Sequence, residues 1–169
     1  ILSEEFLAEV KAIPQKNLAF ELLKKLINDE IKVRSRKNVV QSRSFAAMLE
    51  KAIRSYQSKS IETARVIEEL IKLAQEMKEA GKRGDELNLN DDELAFYDAL
   101  ADNKSARDVL GDDKLKGIAR ELVQMVRNTV TIDWTLKESI QAKIRVYVKR
   151  ILNKYGYPDV KKTSIYYHI

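Results

Sequence analysis

Cysteine is absent from the 169 residues, and histidine occurs once, as His168. The first absence excludes disulfides, thiolate metal sites and cysteine nucleophiles. The second makes any serine–histidine chemistry depend on one residue in a tail. A cysteine-free chain fits a reducing compartment, so a cytoplasmic location is expected. Five glycines and two prolines are few, which argues against a loop-rich or all-β protein. None of the glycines clusters ahead of a Lys-Ser/Thr pair, so no phosphate-cradling Walker loop is present. No apolar run approaches the roughly 18 residues that cross a bilayer, and no membrane partner is expected. The opening ILSEEFLAEVKAIP lacks a basic region followed by an apolar one and does not read as a secretory signal. It also lacks an initiator methionine, which fits a piece of a longer protein.

What the chain has is charge and helical periodicity. Hydrophobic residues make up 44% and charged residues 34%, the balance of long solvated helices around a core. The length suits one domain over residues 1–169 with a single core. Net charge is +5, unevenly spread. Residues 24–59 hold ten basic and three acidic side chains, residues 76–113 twelve acidic and five basic, and residues 137–162 eight basic and two acidic. A basic stretch can face nucleic acid, and the acidic middle can face a basic partner or the chain's own basic parts.

The apolar spacing predicts an all-α fold, a single irregular bundle of about seven or eight helices. Ser3 to Ile13 reads as a short helix closed by Pro14. Asn17 is a candidate N-cap for a helix carrying Leu18, Leu22, Leu26 and Ile31. The pattern fades after Arg36, and Asn38 to Arg43 reads as extended or as an irregular turn before a helix capped by Ser44. Ile61, Ile67, Leu70, Ala74 and Met77 mark the cleanest amphipathic helix, ending near Gly81. Lys82 to Asn90 reads as a mobile loop. Asn90 and Glu93 form a variant capping box. A short helix from Ser105 stops at Gly111, and another starts at Asp112 or Asp113. The β-branched cluster from Asn128 to Ile132 favours a break. Thr135 and Glu138 form a capping box for the last long helix, with Ile140, Ile144, Tyr147, Val148, Ile151 and Tyr155 on its face. Gly156 and Pro158 close it. The Tyr166–Ile169 end reads as poorly ordered.

Catalytic signatures are weak. Metal-dependent nucleases use carboxylates with an Asp/Glu-x-Lys element, in which the lysine assists the attacking water. Glu9/Lys11, Glu30/Lys32, Glu76/Lys78, Asp112/Lys114 and Asp159/Lys161 match that spacing. Such tripeptides arise readily at this charge density, and on a helix positions i and i+2 point to different sides. No catalytic residue, metal site or cofactor is expected in this chain.

The basic segment is the remaining candidate. Lys32, Arg34, Arg36, Lys37 and Arg43 follow one another with no acidic residue between them, and Arg54 and the basic face of the last helix support them. Guanidinium groups suit phosphate and carboxylate alike. Three readings stay open: a solvated helix end favoured by the helix dipole, internal pairs with Asp29, Glu30 or the acidic middle, or a surface for nucleic acid or an acidic partner. No interleaved aromatics mark an RNA-stacking platform. Trp134, just ahead of a helix, is a core or staple residue or an interface anchor.

The runs NDEIKVRSRKNVVQSRSF, DELAFYDALA and TIDWT, within matching segments that span nearly the whole chain, carry a family resemblance. The sequence resembles the C-terminal helical region of the R (restriction and motor) subunit of type I restriction-modification enzymes. That resemblance implies a parent with an N-terminal nuclease domain and two RecA-like motor domains, which translocates DNA with ATP and cleaves it with Mg²⁺. None of the parental nuclease or motor motifs matches here, so no catalytic residue is carried over. What the resemblance implies for this chain is a non-catalytic module that docks on the methyltransferase and specificity subunits or braces DNA. A stand-alone helical nucleic-acid-binding module and a purely structural brace are the alternatives.

Overall fold

Ser3 opens the first helix: its Oγ accepts from the Phe6 amide at 3.2 Å, satisfying one of the unpaired donors of the first turn. This computed structural model describes residues 2–130, 137–160 and 163–168. Trp134 and Thr135, an expected anchor and an expected cap, lie outside the described residues. Within them the chain forms eight α-helices and a short 3₁₀ turn, and no strand. The helices are α1 (Glu4–Ala12), α2 (Lys16–Ser35), α3 (Val39–Gln57), α4 (Thr63–Ala80), α5 (Arg83–Leu87), α6 (Asp91–Ala101), α7 (Lys104–Val130) and α8 (Lys137–Lys154); the 3₁₀ turn is Ser164–His168. The all-α expectation and the helix number hold.

The buried residues resolve into two clusters rather than the single core expected. Residues 1–36 with 41–86 form one compact unit, and residues 37–40 with 87–169 form the other. In the first unit α2 packs on α4, with α1 against both. Phe20, Leu23 and Ile27 of α2 meet Ile67, Leu70 and Met77 of α4 in the cluster. All six are nearly or wholly excluded from solvent. The Phe20 and Tyr56 rings stack at 3.7 Å, and the Tyr56 hydroxyl donates to Asn17 Oδ1 at 3.0 Å. Asn17 is therefore a tie to α3 and not the cap of α2, whose N-cap is Gln15, with no side-chain capping bond.

In the second unit α6 packs along α7, and α8 lies against α7. Leu100, Leu115, Ile118, Leu122, Val148 and Leu152 fill its centre. Asn90 and Glu93 form the reciprocal capping box of α6, at 2.9 and 3.0 Å. Gly111 interrupts α7 with φ +75°, at the point where the sequence pattern predicts one helical stretch to stop and the next to start. The expected break at Asn128–Ile132 falls only in part within the described residues: α7 runs to Val130, and Thr131 and Ile132 lie outside them. Gly156, at φ +71°, ends α8 in a Schellman motif. Its amide donates to Asn153 at 3.1 Å and the Tyr157 amide to Leu152 at 2.9 Å. The chain then returns to α6: the Tyr157 hydroxyl donates to the Leu100 carbonyl at 2.7 Å. Ser164 donates to Asp102 at 2.8 Å. Ile165 is wholly buried and Tyr166 packs partly on the same core, so the first residue of the expected loose tail is docked instead.

Two further expectations are corrected. α3 starts at Val39, five residues before the expected Ser44 cap; the predicted irregular stretch shrinks to the residues just before it. The reason is tertiary. Asn38 is buried and its Nδ2 donates to buried Asp98 at 2.6 Å, fixing the chain ahead of the helix. The expected loop at 82–90 contains the short helix α5.

Candidate basic surfaces and the family of the chain

Helix periodicity divides the candidate cations among different faces. Arg34 sits in the last turn of α2 with its side chain 21% exposed, its Nε donating to Glu30 Oε1 at 2.8 Å. Its guanidinium also lies 6.0 Å from the Phe45 ring. It lines a cleft of about 360 Å³ with Leu2, Ser3, Glu30, Ala74 and Lys78, all in the first unit. Arg34 is thus paired with Glu30 inside its own unit, the arrangement expected by one of the readings left open above. Lys32 and Arg36 are exposed, and neither forms an ion pair with a described residue. Lys37 belongs to the second unit and meets Asp91 at 3.4 Å across an exposed surface. Arg43 is exposed on α3. Arg54, on the same helix, holds Glu50 at 2.6 Å in a solvent-exposed i,i+4 pair. Exposed pairs of this kind contribute about 0.2–1 kcal/mol. The run that looks continuous in the sequence is therefore divided between two units and partly neutralised.

The nuclease-like tripeptides are not assembled either. Glu30 is occupied by Arg34, and Asp112 accepts from the Tyr97 hydroxyl at 2.8 Å. Among the described residues no group of three or more His, Asp or Glu side chains is placed to hold a metal ion. No described helix is long and apolar enough to cross a membrane.

A more coherent basic surface lies on α8. From Ser139 to Pro158 there is no acidic residue. Ile144, Val148 and Leu152 face the core, so the opposite side faces solvent. Lys143, Arg145, Lys149 and Arg150 are exposed there, and none of them pairs with a described carboxylate. Lys154 is committed to Glu121 at 3.4 Å. Tyr147, expected on the apolar face, is half-buried at its edge, with Lys143 and Arg150 each 5.9 Å from its ring. Cation–ring contacts hold such side chains at about 0.5–1 kcal/mol each on an exposed surface. The sequence reading named this face only as support. The i, i+4, i+7 spacing of Lys143, Tyr147 and Arg150 was the available signal.

Tyrosines around this helix share one tendency. The Tyr155 hydroxyl donates to Glu121 at 2.5 Å, and that carboxylate holds its pKa above the usual tyrosine value. Burial raises Tyr157 and Tyr166, the latter offset in part by Arg145.

Comparison with known proteins gives the family of the chain. The family described as type I restriction enzyme HindI endonuclease subunit-like, C-terminal, matches residues 1–169. The type I restriction enzyme HindI endonuclease subunit of Haemophilus influenzae is 40% identical over 162 residues, 96% of this chain and 15% of that protein. The putative type I restriction enzyme MjaIXP endonuclease subunit of Methanocaldococcus jannaschii is 40% identical over 161 residues, 94% of this chain and 15% of that protein. The chain thus spans 15% of the length of these curated relatives. No solved structure matches it. With a match over its whole length, the chain belongs to the family of C-terminal regions of HindI-like type I restriction endonuclease subunits.

Proposed function

We propose that this chain is a non-catalytic module of a type I restriction endonuclease subunit that holds DNA by its phosphate backbone. The observation that carries the reading is the outer side of α8. It presents four exposed cations, Lys143, Arg145, Lys149 and Arg150, with no acidic residue from Ser139 to Pro158. Cations of common sign with no described carboxylate partner have little to gain inside a fold and much to gain from a polyanion, which sheds condensed counterions when they bind. The ATP and Mg²⁺ chemistry of the parent belongs to its motor and nuclease parts. Its methyltransferase and specificity subunits are the expected assembly partners of the whole subunit.

The test is fluorescence anisotropy of a labelled duplex with the 169-residue chain between 50 and 200 mM salt, both values being about the range over which such contacts weaken. Each phosphate contact adds about 0.9 to the slope of log K against log salt, so replacing all four cations by glutamine lowers that slope by roughly 3–4. Absence of duplex affinity at low salt, or an unchanged slope in the quadruple variant, refutes the reading. Pull-down of the methyltransferase and specificity subunits by the parent, with and without this region, tests its part in assembly.

A further inference from the structure

The exposed cations of α8 are not scattered around the helix. At 3.6 residues per turn, Lys143 and Arg150 fall on one flank and Arg145 and Lys149 on the other, roughly 130° apart. Between the flanks runs a ridge of Ser139, Ala142, Val146 and Asn153, each within about 30° of the line opposite the whole apolar face of Ile140, Ile144, Val148, Ile151, Leu152 and Tyr155. All four ridge residues are exposed, Val146 by 50%. They are small or neutral, and Val146 leaves half of its apolar surface exposed.

A flat electrostatic contact would place its charges at the summit of the helix. Here the summit is uncharged and narrow, and the charges stand to either side. Tyr147 holds the two cations of one flank. The wheel matches a rod lying between two negatively charged walls. A helix with side chains is about 10–12 Å across, and the major groove of B-form DNA is about 12 Å wide and walled by two phosphate strands.

We propose that α8 lies along the major groove of duplex DNA, its ridge toward the base edges and its two cationic flanks on the phosphates of opposite strands. This rests on the DNA-contact reading above and adds to it a groove and a helix face. Ala142 and Val146, at the middle of the ridge, offer no hydrogen bonds to base edges, whereas Ser139 and Asn153 toward its ends can.

The test uses the 169-residue chain and a duplex whose cytosines are replaced by glucosylated 5-hydroxymethylcytosine. The sugars fill the major groove and leave the backbone charge unchanged. The expected result is binding to the glucosylated duplex weaker by about tenfold or more than to the plain duplex, because the groove is the path the ridge takes. Protection of guanine N7 from dimethyl sulfate is expected on the plain duplex. Equal affinity for the two duplexes, or unprotected N7, overturns groove docking while phosphate contact stands. Single-stranded oligonucleotides bound as tightly as duplex overturn it as well. If the plain duplex is not bound at low salt, the DNA reading itself fails and this inference falls with it.

Discussion

Replacing Arg34 by alanine separates a cation that holds the first unit together from one that holds a ligand. The side chain is 21% exposed and its partner Glu30 35%. A charge-assisted hydrogen bond in a sheltered site contributes about 1.5–3 kcal/mol, and a fully exposed pair about 0.2–1. At this exposure an intermediate figure of about 1 kcal/mol applies, to which the Phe45 contact, at the far edge of cation–ring range, adds about 0.5. The expected loss is therefore about 1–2 kcal/mol, or roughly 2–8 °C in Tm for a chain of this size. Thermal melts followed by circular dichroism read the loss, and a cycle with Glu30→Gln isolates the pair. Affinity for duplex DNA, measured well below the new Tm, is expected to stay as in the parent chain. An unchanged Tm together with a clear loss of DNA affinity refutes the scaffold assignment and returns Arg34 to the binding surface.

Three other outcomes follow from the second unit. Gly156→Ala meets no atom within 4 Å, so its cost is the left-handed backbone alone, about 1–2 kcal/mol, readable as a lower urea midpoint. Asn38→Ala removes the donor to buried Asp98 and is expected to cost about 1–3 kcal/mol, with a full-stability variant counting against that bond. Tyr155, Tyr157 and Tyr166 all have pKa values raised by folding. The native state then keeps protons that the unfolded chain gives up above about pH 10, so stability is intact below that pH and falls as pH rises through the folded values. Tyr157→Phe should flatten that alkaline loss in denaturation curves, and an unchanged slope would show that the buried hydroxyl does not drive it.

Local chemistry was legible wherever one short stretch carried the whole instruction. The Asn90–Glu93 box, the stop at Gly111 and the Gly156 cap each need only residues a few positions apart, and each is present as expected. The start of α3 was not legible, because Val39 and Val40 carry no capping side chain, and the bond that anchors the preceding Asn38 comes from Asp98, sixty residues on. The same holds for Asn17, whose partner Tyr56 lies in another helix. Division of the core into two followed from pairings between distant helices, which periodicity within one helix cannot report. At the candidate surface, the Glu30–Arg34 pair was visible as an i,i+4 spacing, and Glu30 was among the partners considered for it. The weight given to 32–43 came from counting charge along the chain. Sorting charge by helix face moves that weight to α8, since exposure and partners decide what a cation can bind.

The excursion at Lys37–Val40 has a practical consequence for anyone who would divide this protein. The chain enters the second unit for four residues, returns to the first, and leaves it again after Glu86. No single cleavage point therefore yields both units whole. A piece beginning at Leu87 would lack the Asn38 amide that Asp98 accepts from and the Val40 side chain that packs on its core. A piece ending at Glu86 would carry those residues with nothing to receive them. Boundaries chosen for expression or for grafting onto another subunit should keep both crossings in one polypeptide, and a genetic fusion inserted between Arg36 and Gln41 would interrupt both units at once.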